Sequence, residues 1–260
     1  MQHSHEWMSV NDKDGIIILL VLLLLVLYPF AAHWSSRYYQ QWPLHRTFFW
    51  ISGVVTGTVI FVGPLADFAH HNFSGHMIGH LLLGMLTPLL IVCAKPMTLL
   101  LRTLPVPVAR RVTRVLNSRP LRLLTNPAAA TVLNIGALYL LYTTPLYPMM
   151  HESTALYIVI HFHVFGAGYL FTSSLIYLDV TPHRISYRYR AVVLVLALAG
   201  HKILAKYIYA HPPGGVNRSE AETGAMWMYY GGDLIDLVLI VLLCLHWYRA
   251  TSPLKKSQAI

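Results

Sequence analysis

Charge is what this chain has least of. Lys, Arg, Asp and Glu together make up 11% of 260 residues, and only 10 positions are acidic, whereas a soluble domain carries about 25% charged residues. Such a chain cannot clothe a water-facing surface, which excludes an ordinary soluble enzyme or binding module. Cysteine is nearly absent too: Cys93 and Cys244 are the only two. With no Cys-x-x-Cys or Cys-x-x-x-Cys pair, a disulfide scaffold and a thiol-based metal shuttle are excluded, and the two read as small buried thiols. There is no His-Glu-x-x-His segment, so zinc-protease chemistry has no footing.

What fills the chain instead is apolar: 56% hydrophobic and 12% aromatic residues, with a mean hydropathy of +0.53. Seven apolar runs, at 15–34, 46–64, 73–94, 126–145, 153–178, 189–210 and 225–248, approach the length of about 20 residues that crosses a bilayer as a helix. They predict an all-α polytopic membrane bundle of seven transmembrane helices, one membrane domain over 1–260. The first run could be a cleavable signal, but its flank Asp12-Lys13-Asp14 lacks a basic region and its length suits a span.

Basic residues are missing from alternate loops. None lies between spans two and three or between spans four and five, and only Arg218 lies in the loop after span six. Arg37 and Arg46, the run from Lys95 to Arg122, Arg184 and Arg188, and Arg249, Lys255 and Lys256 occupy the others. The positive-inside rule then predicts an N-terminus outside and a C-terminus in the cytoplasm. The net charge of +9 therefore reflects topology and lipid contact, and no nucleic-acid partner is expected. The basic loop 95–125 has room for an interfacial helix within 105–122, with Val108, Val112 and Leu116 on its apolar face.

Against this background the histidines stand out. His76 and His80, four residues apart, share one face of the third span, and an ionisable group inside a membrane span is a functional-site hypothesis by default. At 1.5 Å per helical residue, His161 and His163 lie roughly 12 to 15 Å inside span five, and His201 lies about as far inside span six. Asp233 reaches the same layer on span seven, and Asp236 sits one turn deeper. Being two apart, His161 and His163 point in different directions, and the sequence does not choose between them. Gly166-Ala167-Gly168 follow directly, small residues that let a neighbouring helix approach.

Imidazoles suit copper, zinc and iron, and thioethers add a preference for cuprous ion. Met77 beside His76 is the supporting thioether, while Met149, Met150, Met226 and Met228 gather near exterior span ends. Lys202 is the natural partner for Asp233, and Lys206 snorkels outward. Asp67, His70, His71, His151 and His211, in exterior loops, are candidates for an inlet from outside, as are His3 and His5 in the N-terminal tail. Two other classes stay open: haem held axially by histidines of different spans, giving a membrane reductase or electron carrier, and a transporter relay through Asp233, Asp236 and Lys202.

Phe73-Ser74-Gly75-His76-Met77-Ile78-Gly79-His80, Thr87-Pro88-Leu89-Leu90, Lys95-Pro96-Met97-Thr98, the stretch His161 to Phe171, and Tyr229-Tyr230-Gly231-Gly232-Asp233 together resemble the CtaG-type cytochrome c oxidase assembly factors, seven-span bacterial membrane proteins. The resemblance runs from about Trp50 to Tyr248. Where the family commonly carries tryptophan in span five, this chain has Thr172-Ser173-Ser174. The resemblance implies a non-enzymatic assembly factor in the bacterial plasma membrane whose partner is the oxidase under assembly. It further implies cuprous copper, supplied to the catalytic subunit of a haem-copper oxidase.

Overall fold

A computed structural model of the protein describes residues 3–181 and 183–252, with side chains from Gly15 onward; His3 and His5 therefore lie outside the described side chains. Among the described residues the chain is helical without strands. Its helices are α1 (His3–Ser36), α2 (Leu44–Thr58), α3 (Pro64–His71), α4 (73–94), α5 (Pro96–Thr103), α6 (Val106–Leu116), α7 (Arg119–Leu124), α8 (Pro127–Thr143), α9 (Leu146–Glu152), α10 (Thr154–Leu175), α11 (Tyr187–Ala210) and α12 (Arg218–Thr251).

Five stretches are long and apolar enough to cross a membrane: Gly15–Ser36, Phe73–Thr103, Thr154–Leu175, Tyr187–Ala210 and Arg218–Thr251. α8 and α9 make a sixth if taken as one span bent by 81°, where the sequence predicts a straight run ending at Pro145. The expected run 46–64 is shorter than predicted. Its helix, α2, has 15 residues and ends at Thr58; the chain turns through 59–62, and Gly63 at a positive φ of 93° then redirects it into a new helix that starts at Pro64.

The charged loops gather at one end of the bundle. There Arg102 donates to the Gln40 carbonyl at 2.8 Å, Tyr189 donates to Asn126 at 3.4 Å, and Tyr187 stacks on Trp247. The same end explains the Lys95-Pro96-Met97-Thr98 motif. Lys95 reverses the chain at φ 57° and leaves the first N–H groups of α5 without helical partners. The Asp179 carboxylate, from the loop after α10, accepts the Met97 and Thr98 N–H groups at 2.8 Å each, and the Thr98 hydroxyl as well. Nearby Arg190, almost fully buried, lies 4.1 Å from the Tyr177 ring centre and 4.3 Å from that of Tyr187, and donates to the Leu175 carbonyl at 2.6 Å. The basic loop folds as α6 and α7 with no fully buried residue; Val112 and Leu116 are half-buried and Val108 is exposed.

Three helices that meet near the bundle centre each contain a π turn, at Leu82–Leu86 in α4, Val132–Gly136 in α8 and Trp227–Gly231 in α12. The first has a visible cause. Pro88 has no N–H for the carbonyl four residues earlier, that of Gly84, and the wider turn absorbs the misfit. Gly168 of α10 packs on that carbonyl so closely that a Cβ would stand 2.1 Å from its oxygen, leaving only a Cα–H to face it. Gly166 has open space around it. Of the small residues in that stretch, Gly168 is thus the one that sets helix spacing.

Thiols play no part in this packing: Cys93 is half-buried and Cys244 is exposed on the apolar surface, both free. Cys244 is thus not the buried thiol expected.

Candidate functional site

His76 and His80 are both buried on the first half of α4, facing the bundle interior. Two cavities of about 20 Å³ each lie there, room for roughly one water or ion apiece. His80 lines both. On one side it shares a cavity with His76, Tyr142, Ile160 and His161; on the other, with His201, Asp236, Asn134 and Thr172.

The outer cavity is held by hydrogen bonds that fix its imidazoles. His76 Nε2 and the Tyr142 hydroxyl are 3.0 Å apart. His161 donates its Nδ1–H to the Tyr157 carbonyl one turn earlier, at 2.8 Å. That fixes its tautomer and leaves Nε2 with a free lone pair. The His161 and His76 ring centres are 6.4 Å apart. His163 instead donates Nε2–H to the Leu133 carbonyl at 3.1 Å, in the π turn of α8, so its imidazole braces two helices. The structure thus places His161, and not His163, at the cavity.

The inner cavity is less satisfied. Neither His80 nitrogen has a hydrogen-bond partner, nor does His201 Nε2, although both side chains are buried. An orphaned buried polar group costs about 1–3 kcal/mol. The two rings stand 6.0 Å apart between centres, and two imidazoles sharing an ion at metal–nitrogen distances of about 2.0 Å stand roughly that far apart. Gly232 leaves the space for His201, whose ring carbon would lie 2.8 Å from a Cβ there. This accounts for the second glycine of the Tyr-Tyr-Gly-Gly-Asp motif.

The carboxylates divide the labour differently from the depth count. Asp236, 3% exposed, lines the inner cavity, while Asp233 turns to the bundle surface and pairs with Lys202 at 2.7 Å. Met77 is also not at the cavities: it packs fully buried in an apolar cluster with Phe73, Leu204 and Met228. Of the residues expected in exterior loops, His70 and His151 approach each other at 5.8 Å between ring centres, and His151 lies 6.3 Å from His76. His71 bonds back to the Asp67 carbonyl at 2.8 Å, and His211 stacks on Tyr207. Neither lines either of these two cavities.

Sequence reading misses the contribution of α8, which brings Asn134 and Tyr142. A polar residue and a tyrosine two turns apart in an apolar run were the available signal. Among the described residues no three His, Cys, Asp or Glu side chains converge on one metal-sized point. The imidazoles come in neighbouring pairs.

A profile of the cytochrome c oxidase caa3 assembly factors matches residues 26–250. The chain belongs to this family. Every residue that lines the two cavities falls within the matched residues, as does the Asp179 clamp on α5. Uncharacterized proteins of Mycobacterium bovis and Mycobacterium tuberculosis are each 31% identical to this caa3 assembly factor family member over 207 residues, 75% of this chain and 30% of theirs. An uncharacterized protein of Mycobacterium leprae is 30% identical over 175 residues, 62% of this chain and 26% of its own. The chain thus spans less than a third of the length of these curated relatives. No solved structure matches. Membership in this family, together with several apolar helices, marks the chain as a multi-pass membrane protein.

Proposed function

We propose that the protein takes up copper as cargo, holds it between buried imidazoles and hands it to the copper-bearing subunit of a haem-copper cytochrome c oxidase during assembly. The observation that carries this reading is His80: a buried imidazole with both nitrogens unpartnered, shared by two cavities and 6.0 Å between ring centres from His201, whose Nε2 is also unpartnered. Hydrogen-bonded histidines are structural braces; unpartnered ones retain lone pairs for an ion.

Charge favours the cuprous form. The inner cavity is lined by one carboxylate, Asp236, and by no Lys or Arg. Two neutral imidazoles and one carboxylate balance a monovalent cation, whereas a divalent one would leave net charge in an apolar interior. A donor pair also suits cuprous ion, which imidazoles bind well. Haem finds less support, because cavities of about 20 Å³ leave no room for a macrocycle between these histidines.

We place the basic end in the cytoplasm and the histidine end outside the plasma membrane of a bacterium, with seven crossings in which α2 is a short span. Fusions of a fluorescent protein and of an exported phosphatase to successive loops test this. Fluorescence is expected from fusions after Ala94 and Thr251, and phosphatase activity from fusions after Thr58 and Ala210. The reverse pattern overturns the orientation.

The copper reading is tested by competition for cuprous ion between a chromophoric chelator and the purified protein in detergent. Wild type is expected to retain the ion, and His80→Ala and His201→Ala to lose it. Unchanged copper in both variants overturns the reading. Oxidase isolated from cells expressing those variants is expected to be copper-poor.

A further inference from the structure

Six imidazoles lie in sequence from the exposed surface of the histidine end to the buried pair. His70 is exposed on α3, and its ring centre is 5.8 Å from that of His151 on α9; His151 is 6.3 Å from His76, and His76 is 6.4 Å from His161. His76, His161 and His80 line one cavity, and His80 stands 6.0 Å from His201 across the next. Five different helices supply the rings, so helical repetition within one element does not account for the row.

Each of these measured separations is close to the roughly 6 Å at which two imidazoles share one ion. A pair of rings binds more weakly than a chelating triad, and no third donor converges at any step among the described residues. Conduction through a series of sites requires that property: each must be favourable enough to enter and weak enough to leave. Two rings of the row are engaged by other residues: His161 donates Nδ1–H to the Tyr157 carbonyl, which leaves its Nε2 free, and His76 Nε2 lies 3.0 Å from the Tyr142 hydroxyl. An ion moving from His151 to His76 must break that contact or use the other nitrogen.

We propose that His70, His151, His76 and His161 form an imidazole ladder along which a cuprous ion passes from the outer surface to His80 and His201, by exchange from one pair to the next. This rests on the reading of the buried pair as the holding site and adds the route by which it fills. The ladder carries no net reaction: each step makes one metal–nitrogen bond as another breaks, and the ion stays monovalent.

Rate separates the ladder from the holding site. Protein in lipid nanodiscs is mixed anaerobically with cuprous ion as its acetonitrile complex, and loading is stopped at intervals with a cuprous chelator. His151→Ala and His70→Ala are expected to load at least tenfold more slowly than wild type, while the amount bound after long incubation stays that of wild type. His151→Met, which restores a soft ligand without the ring, is expected to recover much of the rate, a rescue that a merely structural role for His151 would not give. Thermal unfolding of each variant confirms that the fold is intact. Wild-type loading rates in both alanine variants overturn the ladder and leave the holding site standing. Loss of bound copper in His80→Ala with an unchanged initial rate would also separate the two, supporting the ladder as an independent first step. Failure of the wild-type protein to bind cuprous ion overturns both.

Discussion

At the basic end of the bundle Asp179 accepts two backbone N–H groups and a hydroxyl, and Arg190 fills the space between two tyrosine rings while donating to a carbonyl. At the other end His80, buried as Arg190 is, accepts and donates nothing. In a chain with so few charges, polar groups at the basic end are spent on fixing where helices start and stop. At the histidine end His80 and His201 Nε2 are kept from partners while their neighbours are bonded. The difference separates residues that build the bundle from residues it was built to carry, since a buried orphan persists only if something else rewards it.

Substitutions on either side of this divide should have opposite signs. The largest effect is expected at Gly168, where helices α4 and α10 touch backbone to side-chain position. Gly168→Ala places a methyl group 2.1 Å from the Gly84 carbonyl oxygen. It should cost about 3 kcal/mol or more and reduce the yield of folded protein, measured by thermal unfolding and size exclusion in detergent. A variant as stable as wild type would mean that the close approach is not what spaces these helices.

Asp179→Ala comes next. Losing charge-assisted bonds to two N–H groups of α5 should destabilise the protein by about 2 kcal/mol and leave copper retention unchanged. A copper loss without a stability loss would erase the contrast between the ends. Smallest is a gain: His80→Leu removes an orphaned imidazole and fills its volume with carbon, and should raise stability by about 1 kcal/mol while abolishing copper retention. If His80→Leu lowered stability instead, His80 would belong with the builders.

Much of the frame was legible because membrane helices are written in long apolar runs and in the side on which basic residues fall. Span boundaries shifted where the backbone turned: α2 stops at Thr58 and Gly63 redirects the chain into a new helix at Pro64, and α8 and α9 bend sharply within the one span expected. At the site, depth counting put His76, His80, His161 and His201 in one layer. It put Asp233 in that layer and Asp236 one turn deeper, whereas the cavity takes Asp236, because depth carries no azimuth: Asp233 faces the surface and Asp236 the cavity. The same gap left His161 and His163 undivided. Tyr142 and Asn134 escaped notice because neither carries a charge that would make a span conspicuous.

The π turns bear on that missing azimuth. A π turn takes up one residue more than an α turn, so the helix before it and the helix after it run on wheels out of phase by about 100°. α4 therefore behaves as two rotors on one shaft: Phe73–Leu81 is indexed to the cavities, while Thr87–Ala94 is indexed to α2 through Thr56 and Thr87, 3.1 Å apart. Evolution can thus turn the imidazoles without disturbing the grip on α2, by adding or deleting one residue between Leu82 and Leu86 instead of exchanging any.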